Sequence, residues 1–134
     1  MLNPNQKRFL MITLGVVEDE LRRLKGLLRD EREERLFSRI KDDIGLEEKC
    51  LLNEKIDYLI RHLVYLKKLF DLSESEFVLR YIVKATSVYL SIQLEEAMSR
   101  RLRGRGEISP DLKETLDPKL KEMKSVLRQM ESIV

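Results

Sequence analysis

Residues 50–72 read CLLNEKIDYLIRHLVYLKKLFDL, and within them Leu52, Ile56, Leu59, Leu63, Leu66 and Phe70 advance by alternating steps of four and three. That spacing holds apolar side chains on one side of a slightly underwound α-helix, as in the seam of a coiled coil. A second stripe, Tyr58, His62, Tyr65, Leu69 and Leu72, keeps similar spacing beside it. The helix therefore has a wide semi-apolar face that calls for more than one neighbour. Gly45 marks the turn into it, and the pattern predicts a helix over 46–72.

Toward the N-terminus, Asn3-Pro4 supplies a cap residue followed by a proline at the first helical position, where its missing N–H is not needed. Leu10, Leu14, Val17, Leu21, Leu24 and Leu28 then repeat the same seam. Seven consecutive charges follow, Arg29 to Arg35, before Leu36, Ile40 and Ile44 resume at a spacing of four. The run contains neither glycine nor proline, and charges of opposite sign four apart can pair. One long first helix over 4–43 is therefore favoured over a break near Asp30, which with Glu33 could form a capping box.

Toward the C-terminus, Ser73 and Glu76 carry the sequence signature of a capping box, predicting a tight connection into a third helix over 74–103. Tyr81, Ala85, Val88 and Ile92 line one side of it, and Leu79, Val83, Leu90 and Leu94 another. A helix so nearly encircled by apolar groups is either central or faces a second chain. Ser109-Pro110 and Asp117-Pro118 then offer two further starts, giving a last helix over 110–133 with a break at 117. Its seam, Leu116, Leu120, Met123, Leu127, Met130 and Val134, again alternates four and three. No segment alternates as a strand does. The expected fold is all-α: one antiparallel four-helix bundle spanning 1–134, with left-handed packing near about 20°.

Composition narrows the function classes. Of the 134 residues 37% are charged, yet 26 basic against 24 acidic leave a formal net charge of only +2, so no general attraction to polyanions follows. The basic surplus lies after Ser99. A single cysteine, Cys50, excludes an internal disulfide and suits a reducing cytoplasm, where it is expected to act as a small buried apolar residue. Abundant Glu, Lys and Arg with few Asn, Gln and Cys fit a heat-adapted source. Phe9–Val17 lacks the cleavage site of a signal peptide, and Phe77–Leu94 holds Arg80, Lys84 and Gln93, so neither secretion nor a membrane span is expected.

Catalytic chemistry finds few convergent groups. His62 is the only histidine, and Leu59 stands where a di-iron bundle needs the glutamate of Glu-x-x-His. Ile56, Asp57 and Tyr58 stand where helical toxin ribonucleases need an arginine. No glycine-rich phosphate loop or Cys/His zinc spacing is present. Asp42-Asp43, Glu47-Glu48 and Glu95-Glu96 are adjacent pairs, which on a helix point about 100° apart and cannot clamp one ion. A non-enzymatic protein without catalytic, cofactor or metal residues is expected.

Two features remain as candidate sites. Ser99 to Gly106 packs Arg100, Arg101, Arg103 and Arg105 around two of the five glycines. Cations there oppose the negative end of the third helix, with Gly104 as its stop; the same guanidinium forks could instead grip nucleic-acid phosphates or an acidic partner. Arg105, beyond that stop, is explained least by helix capping. No aromatic interleaves the arginines as a stacking platform. The aromatic residues Phe77, Tyr81 and Tyr89, with Tyr58 and Tyr65, are the candidate interface for a second copy or a helical protein partner.

Leu27-Leu28-Arg29-Asp30-Glu31-Arg32-Glu33-Glu34-Arg35, followed by Ile40 and Asp42-Asp43, resembles the first helix of archaeal GINS replication subunits. Leu69-Phe70-Asp71-Leu72 and Ile82-Val83-Lys84-Ala85 are similar to their later helices, over about half of the chain in all. The resemblance implies a non-catalytic scaffold that binds a helicase or a nuclease-like partner. This chain departs from it in lacking the proline-containing element after the first helix and the small β domain, and no functional residue carries over.

Overall fold

The structure is a computed structural model describing residues 1–134, and all of its regular secondary structure is helical, with no strand. Five α-helices follow in order: α1 Pro4–Leu28, α2 Leu46–Leu69, α3 Leu79–Glu96, α4 Ser99–Leu102 and α5 Leu112–Ile133, with a 3-10 turn over Arg103–Arg105. The chain forms two compact units, Met1–Glu74 and Ser75–Val134.

In the first unit α1 starts as its sequence requires. Asn3 Oδ1 accepts from the Gln6 N–H at 2.8 Å, and the Asn3 N–H donates to Gln6 Oε1 at 2.9 Å, a full capping box. The helix stops at Leu28 rather than running to 43. Asp30 takes a left-handed backbone (φ 60°), Glu31 N–H donates to the Gly26 carbonyl at 3.0 Å, and Asp30 N–H donates to that of Leu27 at 3.3 Å. This closed end satisfies the last carbonyls and turns the chain away. Asp30 thus ends a helix and starts none, so the Asp30–Glu33 box is not formed. The end of α2 is built alike: Asp71 has φ 51°, Leu72 N–H donates to Lys67 O at 2.9 Å, and Asp71 N–H donates to Lys68 O at 3.3 Å. The helix expected over 46–72 accordingly ends at Leu69.

Residues 29–45 form an irregular connection held at Asp42. Arg32 Nη2 reaches Asp30 Oδ1 at 3.1 Å and Asp42 Oδ2 at 3.3 Å, Ile44 N–H donates to Asp42 Oδ1 at 3.2 Å, and Lys49 of α2 pairs with the same carboxylate. Leu36, which the long-helix reading placed on an apolar stripe with Ile40 and Ile44, is almost fully exposed, as is its neighbour Phe37, and Ile40 is exposed too. Between α1 and α2 the buried residues are Leu21 and Ile56, with Leu14, Leu28, Leu63 and Phe70 half-buried. Lys25 Nζ and Asp57 Oδ1 join the two helices at 2.6 Å.

In the second unit α3 starts at Leu79, five residues later than expected. Ser73 and Glu76 lie before it in irregular chain, and the cap position is Val78, which offers no side-chain acceptor. The helix ends at Glu96 instead of 103. The Ser99 N–H, which in a continuing helix would donate to the Glu95 carbonyl, donates instead to Asp117 Oδ1 at 2.9 Å. Gly104 is not the stop: it lies within the 3-10 turn, and the left-handed glycine is Gly106 (φ 146°). After a turn in which Leu112 N–H donates to Ser109 O at 3.1 Å, α5 runs unbroken through Pro118. The expected break at 117 is absent because Asp117 turns its carboxylate to Ser99 and so caps no new helix.

The packing of α3 on α5 uses a face that hydrophobicity alone does not mark. Ser87 is fully buried, its hydroxyl returned to the Val83 carbonyl at 2.8 Å, with Val83, Ser91 and Leu94 half-buried beside it. Against this narrow face stand the buried Leu120 and Leu127 of α5. A small side chain lets the two backbones approach closely. The apolar set Tyr81, Ala85, Val88 and Ile92 is left exposed.

Candidate functional site

Each of the three heptad seams is divided by its surroundings. Residues seven apart share a side of the helix, and one such half-set turns inward: Leu14, Leu21 and Leu28 on α1; Ile56, Leu63 and Phe70 on α2; Leu120, Leu127 and Val134 on α5. In the alternate half-set Leu10, Leu66 and Leu116 are half-buried, and the other six are left largely uncovered. Val17, Leu24, Leu52, Leu59, Met123 and Met130 are between 38% and 52% exposed. A helix pair covers one flank of a heptad stripe, and the other flank needs a further helix.

The candidate aromatic residues lie on these open surfaces. Tyr58 and Tyr65 are exposed on α2, seven residues apart and thus on one side. His62 meets Tyr58 edge-on, ring centroids 4.4 Å apart at 67°, and the Arg61 guanidinium sits 6.0 Å from the same ring centre. In the second unit Tyr81 and Tyr89 are exposed on α3, while Phe77, also exposed, precedes that helix. Cys50 is exposed near the start of α2 rather than buried.

The four arginines separate. Arg100 pairs with Glu95, and Arg101 approaches Glu96 at 3.9 Å, so the first two are engaged by the end of α3. Arg103 and Arg105 form no ion pair. Arg103 and Arg100 line a cleft of about 380 Å³ together with Lys113, Lys121 and Lys124 of α5, whereas Arg101 and Arg105 lie outside it. Asp117 sits in the wall of this cleft and is buried. Its Oδ1 accepts the Ser99 N–H at 2.9 Å and its Oδ2 the Ser99 hydroxyl at 2.7 Å, and these donors hold the carboxyl below the usual carboxylate range. The second carboxylate, Glu95, is bridged by Lys124 at 2.6 Å and by Arg100. In the sequence Asp117-Pro118 reads as a helix start, which conceals the tie to Ser99, and the lysines meet the arginines only in three dimensions. The only signal was the basic surplus beyond Ser99.

Two carboxylates in the first unit are also shifted down. Lys49, then the Ile44 N–H, lowers Asp42, and Lys25 lowers Asp57. No group of three or more His, Cys, Asp or Glu side chains is arranged to hold a metal ion, and no helix is long and apolar enough to cross a membrane. Comparison with protein-family models, curated proteins and solved structures returns no match.

Proposed function

We propose that this chain is a non-enzymatic helical interaction module that self-associates, a second copy completing its half-covered seams in antiparallel four-helix packing. The observation that carries this reading is the alternation within the seams: α1, α2 and α5 each leave two alternate seam residues uncovered at seven-residue spacing, Val17 with Leu24, Leu52 with Leu59, and Met123 with Met130. That spacing is self-complementary, since an antiparallel copy presents the same period to it. Tyr58, Tyr65, Tyr81 and Tyr89, exposed and rigid, supply the anchors such an interface favours. Each unit also has a small core of its own: Leu21, Ile56 and Leu72 in the first, Met98, Leu120 and Leu127 in the second. Full burial of such a side chain is worth roughly 1.5–3 kcal/mol, a narrow margin against chain entropy for segments of this length.

Sedimentation velocity across a dilution series tests the proposal. A concentration-dependent oligomer is expected. Leu59→Asp and Tyr89→Asp, both at exposed sites, should shift it toward monomer with helical circular dichroism retained. A strict monomer that binds no apolar dye overturns the reading.

A further inference from the structure

We propose that the cleft between the α4 turn and α5 is a binding site for a compact phosphate-rich anion, a phosphomonoester or diphosphate, with Arg103, Lys113 and Lys121 as its direct ligands. It is independent of the self-association proposed above, since every group involved belongs to Ser75–Val134.

Some of the charges in the cleft already have their partners. Five cations and two carboxylates line it. Glu95 is bridged by Arg100 and Lys124, so those two cations have their counter-charge in place. Asp117 commits both oxygens to Ser99 and is buried, so it fixes the wall of the cleft; Lys121 and Lys113 feel its charge but do not come close enough to form an ion pair with it. Arg103, Lys113 and Lys121 are left, none of them in an ion pair, around one volume of about 380 Å³.

Five cations against two carboxylates leave the cleft with a positive excess, and an anion that bridges the cations relieves their mutual repulsion. A guanidinium fork with two ammonium groups matches phosphate oxygens well. Charge distribution agrees: the first unit is balanced, and the whole formal excess of two positive charges falls in the second. The lining contains no aromatic side chain, so recognition stops at the phosphate and does not extend to a stacked base. The cations are also gathered around one cleft rather than strung along a groove, which favours a multiply charged group over a run of singly charged phosphodiesters.

Calorimetric titration with inorganic pyrophosphate is the test. One saturable site is expected, weakened about tenfold by Arg103→Ala or Lys121→Ala, the loss of one charge-assisted hydrogen bond. Lys121→Arg should retain binding, and Arg101→Ala and Arg105→Ala should leave it unchanged, since both arginines lie outside the cleft. All five substitutions are at exposed positions and should leave the helical circular dichroism intact. A single-stranded oligonucleotide with and without a 5′ phosphate separates the sources. Competition only by the phosphorylated strand assigns the site to strand ends, and competition by neither assigns it to free phosphate compounds. Equal competition by both strands, absence of saturable pyrophosphate binding, or an equal loss in Arg105→Ala overturns the proposal, because each reports diffuse attraction in place of a site.

Discussion

In Met1–Glu74 the two shifted carboxylates are held by ammonium groups, Asp57 by Lys25 at 2.6 Å and Asp42 by Lys49. In Ser75–Val134 the corresponding tie is Asp117, which takes its two hydrogen bonds from the neutral N–H and hydroxyl of Ser99. The same residue type serves both units under different physics. A surface ion pair draws on long-range attraction, which mobile salt screens, whereas a buried carboxylate with neutral donors relies on short-range geometry that salt leaves alone. The first unit accordingly tolerates an irregular connection tethered by charge, and the second builds a sharp corner by diverting one backbone amide.

The largest test of that contrast removes the apolar packing each tie accompanies. Leu21→Ala in the first unit and Leu120→Ala in the second each delete a buried side chain and should destabilise by about 2–5 kcal/mol, read as a lowered denaturant midpoint. Loss of amide protection in α3 and α5 on Leu120→Ala would show that the Asp117 tie depends on packing. A smaller effect comes from pH and salt together. All three carboxylates titrate below their ordinary 3.8, so their contribution is present at neutral pH and disappears as the pH falls through each lowered value. Molar salt should return Asp42 and Asp57 further toward 3.8 than Asp117, whose Ser99 donors outweigh the charges of Lys121 and Lys113, as followed by carboxyl NMR shifts. An equal response of all three would erase the distinction. Smallest are the helix ends: Asp30→Gly and Asp71→Gly relieve a left-handed backbone and should each stabilise by about 0.5–1 kcal/mol, measured by denaturant unfolding.

Most of the helical segments were legible from the sequence, although the Ser73–Glu76 and Asp117-Pro118 start signals open no helix. The Asn3 cap with Pro4 after it opens α1 as its spacing predicts, and helices lie over the three segments that carry the heptad stripes. What periodicity could not show is which flank of a stripe faces inward. On α2 the half-buried neighbours of Ile56 include Asn53 and Ile60, whereas Leu52 and Leu59 remain exposed, because a seam pattern leaves open which side its partner takes. Helix ends failed where an aspartate does the work of a glycine: Asp30 and Asp71 reach the left-handed region, and nothing in the composition of 29–35 announces it. The basic cleft stayed hidden for a tertiary reason. Its cations come from 100–103 and 113–124, and they converge only because Asp117 reaches back to Ser99. Of the arginine cluster, the sequence pointed hardest at Arg105, which stands outside the cleft.

The exposed Leu36-Phe37 pair bears on how this chain can be handled. It sits near the middle of the one long irregular stretch, where an endoprotease preferring bulky apolar residues finds backbone free of helix. A limited digest cutting there yields two fragments, one carrying α1 and the other α2 onward, still joined by Lys25 with Asp57 and the packing around Leu21 and Ile56. Such a nicked form offers a natural place for split reporters or for opening new chain ends.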